Sequence, residues 1–411
     1  MEGETKEAGR PPSATQPGIH FLNLPGPTMV PTKVTAAIAE PTIDHRSTEM
    51  ADLLGEIVGK LQGLFGTSHR NILIYPSSAT GGWEAALMNS CSPGDQLLLA
   101  THGFFAERWM SMGRSLGLRV EQLPGTWQQT MNVAALRDRL ARDSIHDIRA
   151  ILMVHNETST GVMSDPGLAR SVLDELDHPA LLFVDAVSSL GAVPFELDRW
   201  GVDVAITGSQ KALSLPPGMA ITAISNRVIA APRSAKLPRY YWDWDRMLQC
   251  NSEGYFPYTP ATNMIFGLRE TLALIHDEGL DRVFERHQLL SGAVRSCVQS
   301  WGLVTLCADP AVASATITAV QLPSGIKAST VQAIAKNCFN LTVATGLGRY
   351  SNSVIRIGHL GSVGPLMILA ALAGTEMSLG HAGLEMTESG TATALRRLQS
   401  SYPALFDGTS A

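Results

Sequence analysis

From about residue 50 the sequence alternates short, almost wholly apolar segments with longer amphipathic ones, and this alternation limits the possible fold more than any other feature. A short apolar run bounded by turn residues predicts a strand covered on both faces, whereas an amphipathic stretch predicts a helix. The predicted strands are 72–75, 96–100, 150–154, 180–184, 204–207 and 219–225. The predicted helices include 83–89, 105–116, 133–142 and 168–176. The pattern therefore indicates an α/β fold with a mostly parallel central sheet flanked by helices.

The chain is long enough for two domains, because 411 residues exceed what one hydrophobic core usually serves. After about residue 270 helical patterns over 263–276 and 281–301 precede a strand at 315–322, a helix at 331–339 and a strand at 354–357. We expect a large domain over 21–270 and a smaller α/β C-terminal domain over 271–384. A flexible N-terminal arm, 1–20, and a C-terminal tail, 385–411, are expected to lie outside both.

Charge and composition exclude several functional classes. With 31 Lys and Arg against 37 Asp and Glu, the formal charge is -6, so the basic surface that nucleic acids require is not expected. The five cysteines are irregularly spaced without a C-x-x-C pair, which favours free thiols over a disulfide framework or a metal site. The first residues lack the apolar core of a signal peptide, and the longest apolar run, 365–374, is too short to span a bilayer. We expect a cytoplasmic protein that binds neither membranes nor nucleic acid.

Small polar residues follow the first predicted strand. Ser78, Ala79 and Thr80 stand between the strand that ends at residue 75 and the helix predicted from residue 83. Free amides at a helix start favour an anion, and small side chains let the anion approach the backbone. The same residues are also typical of an ordinary turn with a helix N-cap, which is the more common case.

Two further strands are followed by ionisable residues. Asp185 comes directly after the apolar run 180–184, where a carboxylate either caps a helix or pairs with a cation such as a protonated pyridine nitrogen. Lys211 follows the strand 204–207 and a turn of small residues. A lysine there is either a solvated surface charge or a partly desolvated amine that attacks a carbonyl. The distance along the chain from Asp185 to Lys211 fits one strand, a connection and the next strand. Both side chains can therefore face one cleft at the carboxyl ends of neighbouring strands.

A guanidinium occurs inside the last predicted strand, at Arg356. A charged side chain in an apolar strand needs an anionic partner. A substrate carboxylate held by two hydrogen bonds is one candidate, and an internal salt bridge to Asp or Glu is the other. A phosphorylated aldehyde cofactor and an amino-acid substrate would suit these four features in their order along the chain: an anion cradle, an aspartate and a lysine that each follow a strand, and an arginine in the smaller domain.

The motifs in this order resemble those of a known family. From about residue 23 to residue 380 the chain resembles the class V, fold-type I pyridoxal-phosphate aminotransferases, in the serine–glyoxylate and alanine–glyoxylate group. The segments that carry the resemblance are 25–28 (PGPT), 41–47 (PTIDHRS), 155–162 (HNETSTGV), 207–211 (TGSQK), 257–260 (PYTP) and 356–361 (RIGHLG).

The resemblance implies roles for the residues around the cofactor ring. Lys211 would bind the aldehyde of pyridoxal 5'-phosphate (PLP) and then move the α-proton of the substrate. Asp185 would pair with the ring nitrogen. Val187 and Phe105 would pack on the two faces of the ring, with Phe105 at a position where the family often has tryptophan.

The resemblance also implies residues for the phosphate and the substrate. The phosphate would be held by Ser78, Ala79, Thr80 and Gln210. Thr259 would reach the same phosphate from the neighbouring subunit of a homodimer with shared active sites. Thr158 would bind on the 3-oxygen side of the cofactor, and Arg356 would bind the substrate α-carboxylate. Ala79 replaces the glycine that is usual in the family, which is tolerable only if its φ is below zero.

The reaction implied by the resemblance is a ping-pong transfer of an amino group from a small amino acid, serine first, to glyoxylate, which becomes glycine. Alternatives within the family are alanine–glyoxylate, aspartate–glyoxylate and amine–pyruvate aminotransferases. A PLP-dependent lyase of the cysteine-desulfurase type is a more distant alternative, because none of the five cysteines lies in a Gly/Ser-rich loop before Arg356.

Overall fold

The computed structural model describes residues 18–230 and 235–402, so that most of the expected N-terminal arm, 1–17, and the last part of the expected tail, 403–411, lie outside the described residues. The strands are β1 (Phe21–Asn23), β2 (Ile72–Tyr75), β3 (Gln96–Leu99), β4 (Arg119–Gln122), β5 (Ile148–Val154), β6 (Asn156–Glu157), β7 (Val162–Met163), β8 (Leu181–Asp185), β9 (Val204–Gly208), β10 (Ala220–Ile224), β11 (Val304–Thr305), β12 (Ile317–Gln321), β13 (Leu341–Thr345) and β14 (Val354–Gly358). The helices are α1 (Thr32–Ile38), α2 (Thr48–Phe65), α3 (Ala79–Ser90), α4 (Phe104–Ser115), α5 (Val133–Ala141), α6 (Pro166–Glu175), α7 (Asn226–Ala230), α8 (Trp244–Ser252), α9 (Thr262–Glu278), α10 (Leu280–Ser300), α11 (Ala328–Phe339), α12 (Pro365–His381) and α13 (Gly390–Ser401).

Seven of the described strands form the central sheet, in the order β2-β10-β9-β8-β5-β3-β4. Neighbouring strands pair in parallel except at β10, which runs antiparallel to both β2 and β9. The predicted α/β fold with a mostly parallel sheet is therefore confirmed, with one strand reversed. The segment predicted as a strand at 219–225 is β10, and its apolar composition carries no information about its direction.

The strands of this sheet are apolar on both faces because two separate cores cover it. Along β3, Leu97 and Leu99 pack in one core, whereas Leu98 packs in the other. Along β8, Leu182 lies in the core of Leu98 and Phe183 in the core of Leu97. All five side chains have no exposed surface, and burying each contributes about 2 kcal/mol of hydrophobic free energy.

A second sheet has the order β1-β13-β14-β12-β11 and, apart from β1, is built from the region expected to form the smaller α/β domain. Strand β1 corrects the expected boundary, since Phe21–Asn23 was assigned by sequence to the large domain, 21–270. It pairs in parallel with Leu341–Thr345 of the second sheet. Three residues without a continuous apolar run give no local signal for a pairing so distant along the chain.

Part of the segment expected as a C-terminal tail, 385–411, is helical and packed. Helix α13 (Gly390–Ser401) begins with the Ser389 side chain accepting a hydrogen bond from the Ala392 amide. Ala394 and Leu398, one turn apart, are buried in the core that also contains residues of α10 and α12. These residues therefore extend the second α/β unit instead of forming a separate tail.

Helix α12 (Pro365–His381) contains the longest apolar run of the sequence. Its Ile368, Leu372 and Leu379 are buried in the same core as strand β13, and Gly374 lies against Leu341. The apolar run thus packs on the second sheet. Within 18–230 and 235–402, none of the helices is both long enough and apolar enough to cross a membrane.

Candidate active site

A cavity of about 340 Å³ lies where strands β2, β5, β8 and β9 end. This is the edge of an open α/β sheet at which ligands usually bind. Its lining residues are Gly26, Pro27, Ser78, Ala79, Thr80, Trp83, Phe105, Arg108, Val154, Asn156, Thr158, Asp185, Val187, Ser188, Gln210, Lys211 and Pro217. A larger cavity of about 580 Å³ beside α2 and α8 has mostly apolar walls, with Arg70 as its one ionisable lining residue among those described. The smaller cavity is therefore the candidate active site.

Lys211 lies in the turn that follows β9. Its Nζ donates a hydrogen bond of 2.8 Å to the carbonyl oxygen of Pro25. Burial lowers the pKa of the Lys211 amine to about 8, and the positive charge of Arg356 lowers it in the same direction, against the opposing effect of Asp185. A substantial fraction of this amine is neutral near pH 7 and able to attack a carbonyl. The solvated-lysine interpretation is wrong.

Gly26 explains why the lysine can lie across the N-terminal loop. Its φ of +127° is one that L side chains rarely adopt. A Cβ at this position would lie 2.5 Å from Cδ and 2.6 Å from Nζ of Lys211. Gly26 and Pro27 line the cavity, a role that the sequence analysis did not assign to them.

Asp185 ends strand β8, next to β9 in the sheet, and is buried. Its Oδ1 accepts a hydrogen bond of 2.7 Å from the amide of Val187, in a turn and not in a helix, so the helix-cap alternative is wrong. Burial raises the pKa of the Asp185 carboxyl to about 7; the Val187 amide and Lys211 oppose this shift, and Glu157 adds to it. Within the described part of the chain no cationic side chain forms an ion pair with Asp185. The site therefore contains a buried carboxylate that lacks a cationic partner.

The anion cradle has the expected position. Helix α3 begins at Ala79, four residues before the predicted start, and Ala79 is absent from the residues with positive φ, as its side chain requires. Ser78 precedes the helix, and its hydroxyl makes no capping bond. The amide oxygen of Gln210 is buried without a hydrogen-bond partner. Groups such as the Ser78 hydroxyl at a helix start are typical of an anion site, whereas the Gln210 oxygen is an acceptor, so only the nitrogen of that amide could donate to an anion.

Phe105 lies in the first turn of α4 and lines the cavity together with Val187. The buried carboxylate of Glu157 accepts hydrogen bonds from the amides of Phe105 (3.1 Å) and Ala106 (3.3 Å), and from the amide and hydroxyl of Ser159. Glu157 thereby fixes the start of α4 and the position of the Phe105 ring. The sequence motif included Glu157, but nothing local indicated which helix its carboxylate would cap.

Arg356 lies on β14 and reaches the cavity through Thr158. Its Nε donates to the Thr345 carbonyl (2.8 Å) and its Nη1 to the Thr158 carbonyl (3.1 Å). Among the described residues no carboxylate forms an ion pair with it, so the internal salt-bridge alternative is wrong. Burial lowers the pKa of Arg356 to about 10, which leaves the guanidinium charged at neutral pH. Its remaining N–H donors are free for an incoming carboxylate.

The structure thus brings nearly all of the predicted site residues to one cavity: Ser78, Ala79, Thr80, Phe105, Thr158, Asp185, Val187, Gln210 and Lys211. Arg356 contacts the lining residue Thr158 without lining the cavity itself, whereas Thr259 is exposed and is not among the lining residues. Sequence reasoning missed Asn156, whose Nδ2 donates to Ser188 and Thr316 while its Oδ1 is buried without a partner.

Comparison with known proteins identifies the family of this site. The family model described as aminotransferase class-V matches residues 20–358, which is most of the chain. The chain belongs to the class-V aminotransferases. Members of this family depend on PLP, and the protein is therefore a PLP-dependent transaminase of fold-type I, as its sequence motifs predict.

Three of the proteins to which this class-V aminotransferase is similar are named for the same acceptor, glyoxylate, and for different amino donors. The serine–glyoxylate aminotransferase of Methylorubrum extorquens is 40% identical over 385 residues, 92% of this chain and 96% of that protein. The L-aspartate–glyoxylate aminotransferase of Paracoccus denitrificans is 39% identical over 372 residues, 90% of this chain and 94% of that protein. The crystal structure of ureidoglycine–glyoxylate aminotransferase from Bacillus subtilis superposes with a TM-score of 0.85 at 26% identity, covering 93% of this chain and 98% of that one.

The Lys211 amine of this class-V aminotransferase is expected to react with aldehydes at lower pH than an ordinary lysine. With a pKa of about 8, roughly a tenth of the amine is neutral at pH 7, against less than ~0.1% for an ordinary lysine. The rate constant for PLP capture by cofactor-free protein, followed by stopped-flow absorbance, should rise steeply up to about pH 8 and then level off. Arg356→Gln removes a charge that lowers this pKa, so its plateau should begin at higher pH. A wild-type rate still rising steeply at pH 9.5 would contradict the lowered pKa.

Proposed function

We propose that this aminotransferase moves the amino group of serine to glyoxylate, with PLP bound covalently through Lys211. The observation that carries the proposal is that Lys211 and Asp185 line one cavity at the ends of adjacent strands. The pKa of the amine is lowered there and the pKa of the carboxyl is raised. Sequence identity of 39–40% to serine–glyoxylate aminotransferases over more than 90% of the chain supports the choice of donor and acceptor.

The residues present fit this cofactor. The buried Asp185 carboxylate would meet a protonated ring nitrogen, Val187 and Phe105 would cover the ring, and Thr158 would bind on its 3-oxygen side. The nitrogen of the Gln210 amide, a group that lines the cavity, and the start of α3 would hold the phosphate. When bound, the cofactor supplies an aldehyde and a ring that accepts electrons from the substrate α-carbon.

The protein's own residues would perform the proton transfer and orient the substrate. Lys211 would hold the cofactor covalently, and its amine, when free, would take the substrate α-proton and later give a proton back. Its pKa of about 8 lies close to neutral pH, where a general base works best. Arg356, charged and held by the Thr345 and Thr158 carbonyls, would fix the substrate carboxylate.

Removing the guanidinium is expected to weaken substrate binding far more than cofactor binding. Arg356→Gln should raise the KM for serine by ~10- to 100-fold, because a charged hydrogen-bonded pair with the carboxylate is lost. The absorbance of bound cofactor should change little, since Arg356 is not among the residues that line the cavity. Arg349→Gln, which removes an exposed guanidinium from the same unit, is the matched control and should retain its KM. An unchanged KM in Arg356→Gln would exclude the carboxylate role.

A panel of donors and acceptors tests the proposed substrates. Purified enzyme loaded with PLP would be assayed with serine, alanine and aspartate against glyoxylate and pyruvate, with the amino products quantified by mass spectrometry. Serine with glyoxylate should give the highest kcat/KM. A higher value for alanine, aspartate or pyruvate would replace the proposed pair with another within the family. Release of sulfide from cysteine would instead indicate the lyase alternative.

We also propose that the protein is a homodimer whose active sites contain residues of both subunits, and that it is located in the cytoplasm. Thr259 is exposed and outside its own cavity, as a residue that reaches a partner's phosphate has to be. All five cysteines are free thiols, which agrees with a reducing compartment. Light scattering should give a dimer as the active species, and a fully active monomer would exclude the shared site.

A further inference from the structure

Three ionisable side chains line the candidate active site among the residues described: Asp185, Lys211 and Arg108. The proposed function assigns the first to the ring nitrogen and the second to the aldehyde. Neither charge is then available to the phosphate. Phosphate monoesters carry about -1.5 to -2 charges at pH 7, and the cradle residues Ser78, Ala79, Thr80 and Gln210 are all neutral.

Arg108 lies at the phosphate end of the cavity. It is on α4, one turn after Phe105, so its side chain is on the same face of the helix as that ring. Its Nη2 donates a 3.4 Å hydrogen bond to the hydroxyl of Thr80, which belongs to the cradle. Its guanidinium carbon lies 5.7 Å from the ring centre of Phe105 and 5.8 Å from that of Trp83.

The guanidinium of Arg108 has no anionic partner in the described part of the chain. Three other arginines do have a carboxylate partner: Arg119 pairs with Asp147, Arg137 with Glu175, and Arg349 with Glu107. For Arg108 the contacts are the Thr80 hydroxyl and the two ring faces. The planar fork of an arginine matches two phosphate oxygens, and the two nearby rings restrict its rotation.

We propose that Arg108 supplies the positive charge that binds the cofactor phosphate, through its contact with Thr80. This inference rests on the proposed function, because it takes PLP to occupy the cavity in the orientation set by Lys211 and Asp185. In that orientation the start of α3 would hold the phosphate, and Arg108, on α4, would reach it beside Thr80. The helix α4 then contributes to the cofactor site twice, through the Phe105 ring and through this guanidinium.

The test compares a ligand with the phosphate to one without it. Cofactor-free wild type, Arg108→Gln and Arg108→Lys would be titrated with PLP and with pyridoxal, and Kd measured from tryptophan fluorescence and from the absorbance of the lysine-bound cofactor. Arg108→Gln should raise the Kd for PLP about tenfold or more, with no change for pyridoxal. Arg108→Lys should recover part of the loss, because it keeps the charge. Raising the salt concentration should weaken PLP binding more in wild type than in Arg108→Gln.

Arg142→Gln is the matched control, since Arg142 is an exposed arginine at the end of α5 whose guanidinium, within 18–230 and 235–402, bonds only to the Asp138 carbonyl of α5. It should bind PLP as wild type does. Equal PLP affinity in Arg108→Gln and wild type would overturn the inference, as would an equal loss for PLP and pyridoxal, which would indicate a ring-packing role. A wild type that binds PLP through Lys211 but does not use serine would overturn the proposed substrate and leave the Arg108 inference standing. A wild type that binds no PLP would overturn both.

Discussion

Replacing Lys211 by alanine is expected to lower kcat for transamination by ~10⁴-fold or more, because the substitution removes both the amine that attaches the cofactor and the base that moves the substrate proton. The methyl side chain cannot make the 2.8 Å bond that Lys211 Nζ donates to the Pro25 carbonyl. Noncovalent binding of PLP should persist with reduced affinity, since the cradle and Asp185 are unchanged. Activity would be measured as glycine formed from glyoxylate, and covalent attachment by borohydride reduction followed by peptide mass spectrometry.

Lys60→Ala is the matched control, because Lys60 forms an exposed ion pair with Glu56 on α2, away from the cavity. Its activity and its borohydride label should equal those of wild type. A label on a lysine other than Lys211 in wild type, or transamination by Lys211→Ala above one-hundredth of the wild-type rate, would refute the assignment of the catalytic amine.

The central sheet was predictable from the sequence because its strands are buried on both faces. Runs such as Leu181–Asp185 and Val204–Gly208 are continuous apolar segments that end at turn residues, and this local signal is sufficient to place them. The reversed direction of β10 and the place of Phe21–Asn23 in the second sheet depend on partners distant in sequence. Local composition contains no information about either.

The residues of the site likewise divide into those that local sequence predicts and those that depend on partners distant in the chain. Asp185 and Lys211 were predicted because each comes directly after its own strand, and parallel neighbours bring strand ends together. The Pro25 carbonyl that accepts from Lys211, and the cap that Glu157 provides for α4, join segments far apart in the chain. Arg108 was also missed, since an exposed arginine in an amphipathic helix is usually a solvated charge.

The pKa values of Asp185 and Lys211 are shifted by the same cause. Burial penalises the charged form of each group, so it raises the pKa of the carboxyl and lowers the pKa of the amine. In the cofactor-free protein both groups therefore destabilise the fold at neutral pH, and a cationic ring bound beside Asp185 would remove part of that penalty. The catalytic arrangement thus has a cost in stability that substitution can reveal.

Asparagine at position 185 is expected to lower kcat by ~10²–10³-fold, because a neutral amide cannot stabilise a protonated ring nitrogen as a carboxylate does. The Asn side-chain oxygen can still accept the 2.7 Å hydrogen bond from the Val187 amide, so the turn should be preserved. Asp174→Asn, at an exposed carboxylate on α6, is the activity control. Asp185→Asn activity within threefold of wild type would exclude the role of the carboxylate.

The same substitution is expected to stabilise the cofactor-free protein, and the gain should depend on pH. The pKa of Asp185 is about 7 in the folded protein against an ordinary value of 3.8. The free energy of unfolding of wild type therefore decreases as the pH rises from about 4 to about 7. Above about pH 7 this group causes no further decrease. Asp185→Asn lacks this titration. Its advantage, measured by urea denaturation of both cofactor-free proteins, should therefore grow over that window to at most about 4 kcal/mol and then remain level. A difference that stays constant from pH 4 to pH 8 would show that burial does not raise the pKa of this carboxyl.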